Sequence, residues 1–228
     1  MVDAARMKIG VIGAGCLVSL GYVGSAWAQA PAERTGFQLA LRTGIAIPFG
    51  ELDKGEKMSD FTSVQVPLIV DVGGKVIPEL FLGGYFGFGF GGPGGELADV
   101  CSAGDASCIS VGLRLGIEAQ YHILPGEGVN PWLGYGIGFE SLALSISNNG
   151  DTASVGSGGL EFAHFMGGVD VRMSRVFGIG PFVDVALGRY SSFSTDDGDG
   201  SSISHDIDTS QRATHGWVML GARMVFFP

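Results

Sequence analysis

Between Val111 and Ile123 the chain alternates without a break. Val111, Leu113, Leu115, Ile117, Ala119, Tyr121 and Ile123 fall on one side of a strand, and Gly112, Arg114, Gly116, Glu118, Gln120 and His122 on the other. No helical spacing gathers these apolar residues onto one face, whereas a pleated strand separates the two sets completely. A strand of this length, rising about 3.3 Å per residue and tilted roughly 45°, crosses the ~25 Å apolar band of a membrane barrel.

The pattern recurs. Val64, Val66, Leu68, Val70 and Val72 alternate with Gln65, Pro67, Ile69 and Asp71, and Phe37, Leu39 and Leu41 with Gln38, Ala40 and Arg42. Near the end, Val218, Leu220, Ala222, Met224 and Phe226 alternate with Trp217, Met219, Gly221 and Arg223. Eight segments follow from this reading: 36–48, 62–72, 77–90, 109–123, 131–144, 160–173, 180–190 and 215–227. The connections 50–61, 91–108, 145–159 and 191–214 are long, and those between them are short, as at Gly73-Gly74-Lys75. Short turns at one end and long loops at the other predict an all-β fold, an eight-stranded antiparallel up-and-down transmembrane β-barrel. Three strands that follow short turns are expected to begin at prolines, Pro78, Pro131 and Pro181, where a missing N–H is tolerated.

In such a barrel one face meets lipid and the other fills the inside. The polar face carries isolated charges: Arg42, Asp71, Arg114, Glu118, Glu140, Asp170, Arg172, Asp184 and Arg223. Four arginines face five acids, which predicts a network of ion pairs in the lumen. Glycine makes up 40 of 228 residues and leaves room on that face, since eight strands enclose a space that side chains alone can fill. A soluble barrel of lipocalin type would instead show water a face rich in Lys, Glu, Thr and Ser.

The first residues read as an address. Met7–Gly21 contains Gly13-x-Gly15, but the third glycine of a dinucleotide turn is replaced by Val18, and no amphipathic helix follows. Arg6 and Lys8 precede an uncharged apolar run, which ends in the small-x-small sites Ala26-Trp27-Ala28 and Ala28-Gln29-Ala30. These are the parts of a cleaved signal peptide, so residues 1–28 are expected to be removed and 29–228 to form the barrel domain.

With that address, the alternating segments, "PWLGYGIGFE" at 131–140 and the last strand, the chain resembles the small OmpA/OmpX/OmpW-type outer-membrane β-barrel proteins. Met219-x-Gly221-x-x-Met224-x-Phe226 is similar to the assembly signal that such proteins carry in their final strand. The resemblance implies a Gram-negative outer membrane, periplasmic termini, extracellular long loops and a monomer without a periplasmic domain. Outer-membrane lipid, lipopolysaccharide and the barrel-assembly machinery are the implied partners.

Composition limits the function. The whole chain has 23 acids and 13 Lys plus Arg, and the leader takes away Asp3, Arg6 and Lys8, leaving 22 against 11. So acidic a chain has no means of neutralising a nucleic-acid backbone. Cys101 and Cys108 are the cysteines that remain, with no histidine nearby to suggest zinc, so a disulfide is expected in an oxidising compartment. The loop "STDDGDGSSISHDIDTS", 194–210, begins like a calcium loop at Asp197 and Asp199. It has Ser202 where the glycine belongs and no closing glutamate. The expectation is a solvated acidic loop.

No metal, cofactor or catalytic residue is expected. The leading function is a non-enzymatic outer-membrane barrel with a charge-paired lumen, acting structurally or through its surface loops. The alternatives are a narrow channel for small solutes and a lipid-modifying enzyme. The last is disfavoured because His122, His164, His205 and His215 show no pairing with a nucleophile. Cleavage after Ala28 predicts a mature chain starting at Gln29, which intact-mass measurement of exported protein will read directly; a chain retaining Met7 would refute it.

Overall fold

The structure is a computed structural model that describes residues 35–102, 106–148, 151–198 and 202–227. The expected signal peptide lies outside the described residues. The chain runs β1 (Gly36–Asp53), β2 (Glu56–Lys57), α1 (Met58–Phe61), β3 (Thr62–Ile77), β4 (Leu80–Pro93) and α2 (Gly95–Ser102). It continues through β5 (Ser107–His122), β6 (Val129–Asn148), β7 (Asp151–Arg172), β8 (Phe177–Asp196), β9 (Ser202–Asp206) and β10 (His215–Phe226).

Eight of these strands close a ring. The order β10-β1-β3-β4-β5-β6-β7-β8 returns to β10 through antiparallel pairing of β8 with β10. Closure leaves no ring strand with an open edge within the wall, which is what a barrel demands in a medium without water. β2 and β9 are additions at the long-loop end, paired with β1 and β8.

The faces follow the alternation. Ile117 and Phe139 on the outside are each 66% exposed, while Arg42, Asp71 and Gln120 inside are at 0%. Eight segments and their inward faces match the sequence reading, but three details differ.

First, residues 145–159 are not an open loop. β6 and β7 run on as one hairpin, with Ser145 opposite Ser154 and Ser147 opposite Thr152. In the same way β8 extends to Asp196 and turns back as β9. Above an apolar band the outer face no longer needs large apolar residues, so Ser, Thr and Ala serve and the pattern reads as loop.

Second, Gly73-Gly74-Lys75 does not turn. These residues pair with Gly83, Leu82 and Phe81, and the chain reverses at Pro78 and Glu79. Gly73 and Gly83 face each other beside the buried Phe81. A Cβ on Gly73 would lie 2.5 Å from Gly83 Cα and 2.8 Å from the Phe81 ring. Those glycines clear space for an inward aromatic.

Third, Pro131 and Pro181 lie inside β6 and β8, not at their starts, and Pro78 lies in the turn. Pro131 lies in an unbroken stretch of the β6–β7 pairing, opposite Val169, whereas Pro181 and Pro67 each coincide with a break in one ladder. The β7–β8 pairing skips from Gly168 opposite Phe182 to Val171 opposite Ile179, around Pro181. The β1–β3 pairing skips from Thr43 opposite Leu68 to Ala46 opposite Gln65, around Pro67.

At the long-loop end α2 is joined to β5 by the expected disulfide, Cys101–Cys108, with Cα atoms 6.0 Å apart. Met58 of α1 and Leu52 of β1 are both buried at the mouth of the barrel.

Candidate functional site

The interior is a connected set of charges with Arg42 near its middle. Arg42 on β1 reaches three carboxylates from three other strands. Its Nη2 lies 2.6 Å from Asp71 on β3, its Nη1 2.5 Å from Asp184 on β8, and its Nη2 3.5 Å from Glu118 on β5. All four side chains are fully buried. The fork of the guanidinium suits this, because its donors point in several directions in one plane.

Toward the short turns, Glu118 accepts from Gln120 Nε2 at 2.7 Å, and Gln120 Oε1 accepts from Arg223 Nη2 at 2.7 Å. Arg223 Nη1 completes the run at Asp170, 2.8 Å away, with its guanidinium 4.2 Å from the centre of the Trp132 ring. Toward the long loops, Arg114 lies 3.3 Å from Glu140 and 3.5 Å from Glu161. Glu140 also pairs with His215 Nε2. His164 bridges the two halves, with Nδ1 3.0 Å from Glu161 and Nε2 3.4 Å from Asp184. Tyr85 on β4 donates to Glu161 at 2.6 Å, so every ring strand contributes to the set.

Eight of the nine residues expected in the lumen therefore meet there: Arg42, Asp71, Arg114, Glu118, Glu140, Asp170, Asp184 and Arg223. Arg172 lies one step beyond Asp170 at the short-turn mouth, with its guanidinium 5.1 Å from the Phe227 ring. Lys75 approaches the same ring at 5.6 Å. The expected balance of four arginines to five acids becomes three buried arginines facing six buried carboxylates. His164 adds contacts to Glu161 and Asp184, and His215 to Glu140.

Glu161 is the acid the alternation did not supply. In an unbroken strand, residues 161 and 164 would point to opposite faces. Here Glu161 is opposite Gly188 and Ala163 opposite Leu187, so Phe162 is an extra residue. This bulge turns both Glu161 and His164 inward. A polar residue three before a buried histidine, in a segment where the alternation stutters, is the signal that would have revealed it.

Glycines give the large interior side chains their places. Tyr85 lies along the wall over Gly116, its partner on the neighbouring β5, and over Gly136 and Gly138 on β6, and a Cβ on Gly138 would come within 2.5 Å of the Tyr85 hydroxyl. A Cβ on Gly168 would stand 3.0 Å from the Trp132 ring.

Among the described residues no group of histidines, cysteines and acids could hold a metal ion. The disulfide lies at the long-loop end, away from these charges, and Asp199 of the acidic loop lies outside the described residues.

No protein-family model matches the chain, and no curated protein sequence matches it. Solved structures do. Neisserial surface protein A is 15% identical, with 86% of this chain and 100% of that one covered and a TM-score of 0.46. The outer-membrane protein OprG from Pseudomonas aeruginosa is 12% identical, with 86% and 98% covered and a TM-score of 0.48. A major outer membrane protein from Thermus thermophilus is 15% identical, with 83% and 99% covered and a TM-score of 0.47. Each is similar to this chain in overall architecture.

Replacing Arg42 with Met strands three carboxylates. It should destabilise the barrel by about 3–5 kcal/mol, read as a lower urea midpoint in the fluorescence of Trp132 and Trp217. Gly138→Ala should cost less, about 1–3 kcal/mol, by pressing on the Leu115 carbonyl and on Tyr85. Unchanged midpoints would show that the charges and the glycine slot do not support the fold.

Proposed function

We propose that the chain is an outer-membrane barrel that acts as a structural and surface-presenting element and not as an enzyme or an open pore. The observation that carries this reading is that the lumen is filled along its length and covered at both mouths. Phe227 lies across one mouth between Lys75 and Arg172. Met58, Leu52 and Leu142 are buried at the other, in a cluster against which Phe61 packs, and Leu144 is buried as well.

Between the mouths, three arginines and their acids occupy the middle, together with Tyr85, Trp132 and Phe182. A hydrated path for ions would need these pairs to separate inside a narrow space already filled by side chains, which is costly. His164 and His215 lie buried against acids, His122 contacts Asn130 and His205 stands exposed on β9. Among the described residues no hydrogen bond joins a histidine to a serine, threonine or cysteine.

Location follows from the outside of the ring. Leu133, Ile117, Phe139, Leu115 and Phe165 stand exposed on its surface, which suits hydrocarbon and not water. In this reading both ends of the chain lie on the periplasmic side, and the extended β6–β7 and β8–β9 hairpins stand outside the cell. Lipid and lipopolysaccharide surround the belt, the assembly machinery reads β10, and the protein is a monomer.

Two measurements test this together. An unboiled sample of the outer-membrane fraction should migrate differently from a boiled one, and the purified barrel should be electrically silent in a planar bilayer. Discrete conductance steps would overturn the closed lumen in favour of a channel. Absence of heat-modifiability would overturn the barrel in the membrane.

A further inference from the structure

The outward face of the ring carries no charge among its described residues from the short turns up to Leu187 on β8. The next outward residue on that strand is Arg189, and it is exposed. Its level in the wall is set by its neighbours. It pairs with Leu160 on β7, and the adjacent Gly188 is opposite His215, the first residue of β10. Arg189 therefore stands where the apolar belt ends on the long-loop side. Phe49 on β1 and Phe193, further along β8, are exposed apolar side chains of the same region, at 38% and 36%.

Resting on the membrane reading above, we propose that Arg189 with Thr214 forms a binding site for the phosphate of an anionic lipid in the outer leaflet. Three features carry this. Arg189 Nη2 donates to Thr214 Oγ1 at 3.2 Å, and this neutral hydroxyl is its polar partner. Thr214 is itself fixed, since its carbonyl accepts from the Glu51 N–H at 3.2 Å. One bond to threonine steers the guanidinium while leaving the rest of its planar fork for a phosphate oxygen pair.

Glu161, opposite the adjacent Gly188, is buried on the inward face, and the nearest exposed acid by register is Glu51. Its carboxylate accepts from the Gly55 N–H at 3.4 Å, turned back on its own loop, and among the described residues no ion pair joins it to Arg189. The placement suits the lipid as well. An outward arginine at the middle of the belt is strongly disfavoured, whereas at the edge its stem lies along the apolar wall and its head reaches the headgroups. The acyl chains of the same lipid would lie along the belt below it.

The phosphate could come from a lipid A headgroup or from an anionic phospholipid, and the experiment separates them. Full-length mature barrel is reconstituted in nanodiscs of phosphatidylcholine doped with lipid A, with phosphatidylglycerol, or with neither. Lipids retained on the protein are then counted by native mass spectrometry. Wild type should enrich a phosphate lipid over phosphatidylcholine. Arg189→Ala should lower that enrichment about fivefold, the scale of one cation at an anionic bilayer surface. Thr214→Val should lower it in part, and Arg189→Lys should retain some of it.

Enrichment confined to lipid A assigns the site to the glycolipid, and enrichment of both lipids assigns it to phosphate in general. Heat-modifiability of each variant establishes that it is folded. A folded Arg189→Ala barrel that keeps the wild-type enrichment overturns the site and leaves the membrane reading intact. A wild-type chain that fails to insert overturns both.

Discussion

A guanidinium surrounded by three carboxylates is the interaction on which the rest of this barrel depends. Arg42 could not sit in the lumen alone, because an unpaired buried charge costs several kcal/mol, and neither could Asp71, Asp184 or Glu118. Each acid arrives on a different strand, so the ion cluster fixes the relative heights of β1, β3, β5 and β8 as firmly as the backbone ladders do. From there the run of contacts reaches Asp170 in one direction and His215 in the other.

The choice of arginine and carboxylate also shapes the wall. A polar filling takes up most of a narrow interior, and the bulky rings that remain need room. Glycines supply it, at Gly73 and Gly83 for Phe81, at Gly138 for Tyr85 and at Gly168 for Trp132. The large apolar side chains that an ordinary globular protein would bury are placed on the outside instead. High glycine content, inward charge and outward aliphatic surface are three results of one arrangement.

Much of this was legible in the sequence because period-two alternation is insensitive to detail. It places a residue inside or outside without reference to its partners, so eight strands and eight lumen charges could be read from Arg42 to Arg223. It fails where the count along a strand changes. The extra residue at Phe162 inverts the face, which hid Glu161. It also fails where apolarity is no longer required, so the upper parts of β6, β7 and β8 resembled loop. The glycine pair Gly73-Gly74 was misread for a related reason: glycine marks a turn and a crowded neighbour alike, and only the position of Phe81 tells them apart.

The closing pair of strands has a consequence for the order in which the barrel forms. β1 meets β10, so Leu39 lies opposite Phe226 across nearly the whole chain, and contacts this distant in sequence are slow to form. Arg42 belongs to the first strand, Asp184 to the penultimate ring strand and Arg223 to the last. Neighbouring strands can pair Arg42 with Asp71 and Arg114 with Glu140, but Asp184 and Asp170 meet their arginines only when strands that are not neighbours come together. Until the seam shuts, Asp184, Asp170 and Arg223 must stay hydrated, and the interior stays wet. Sealing the seam and expelling that water become a single late step, in which an incomplete barrel is held open by its own solvent.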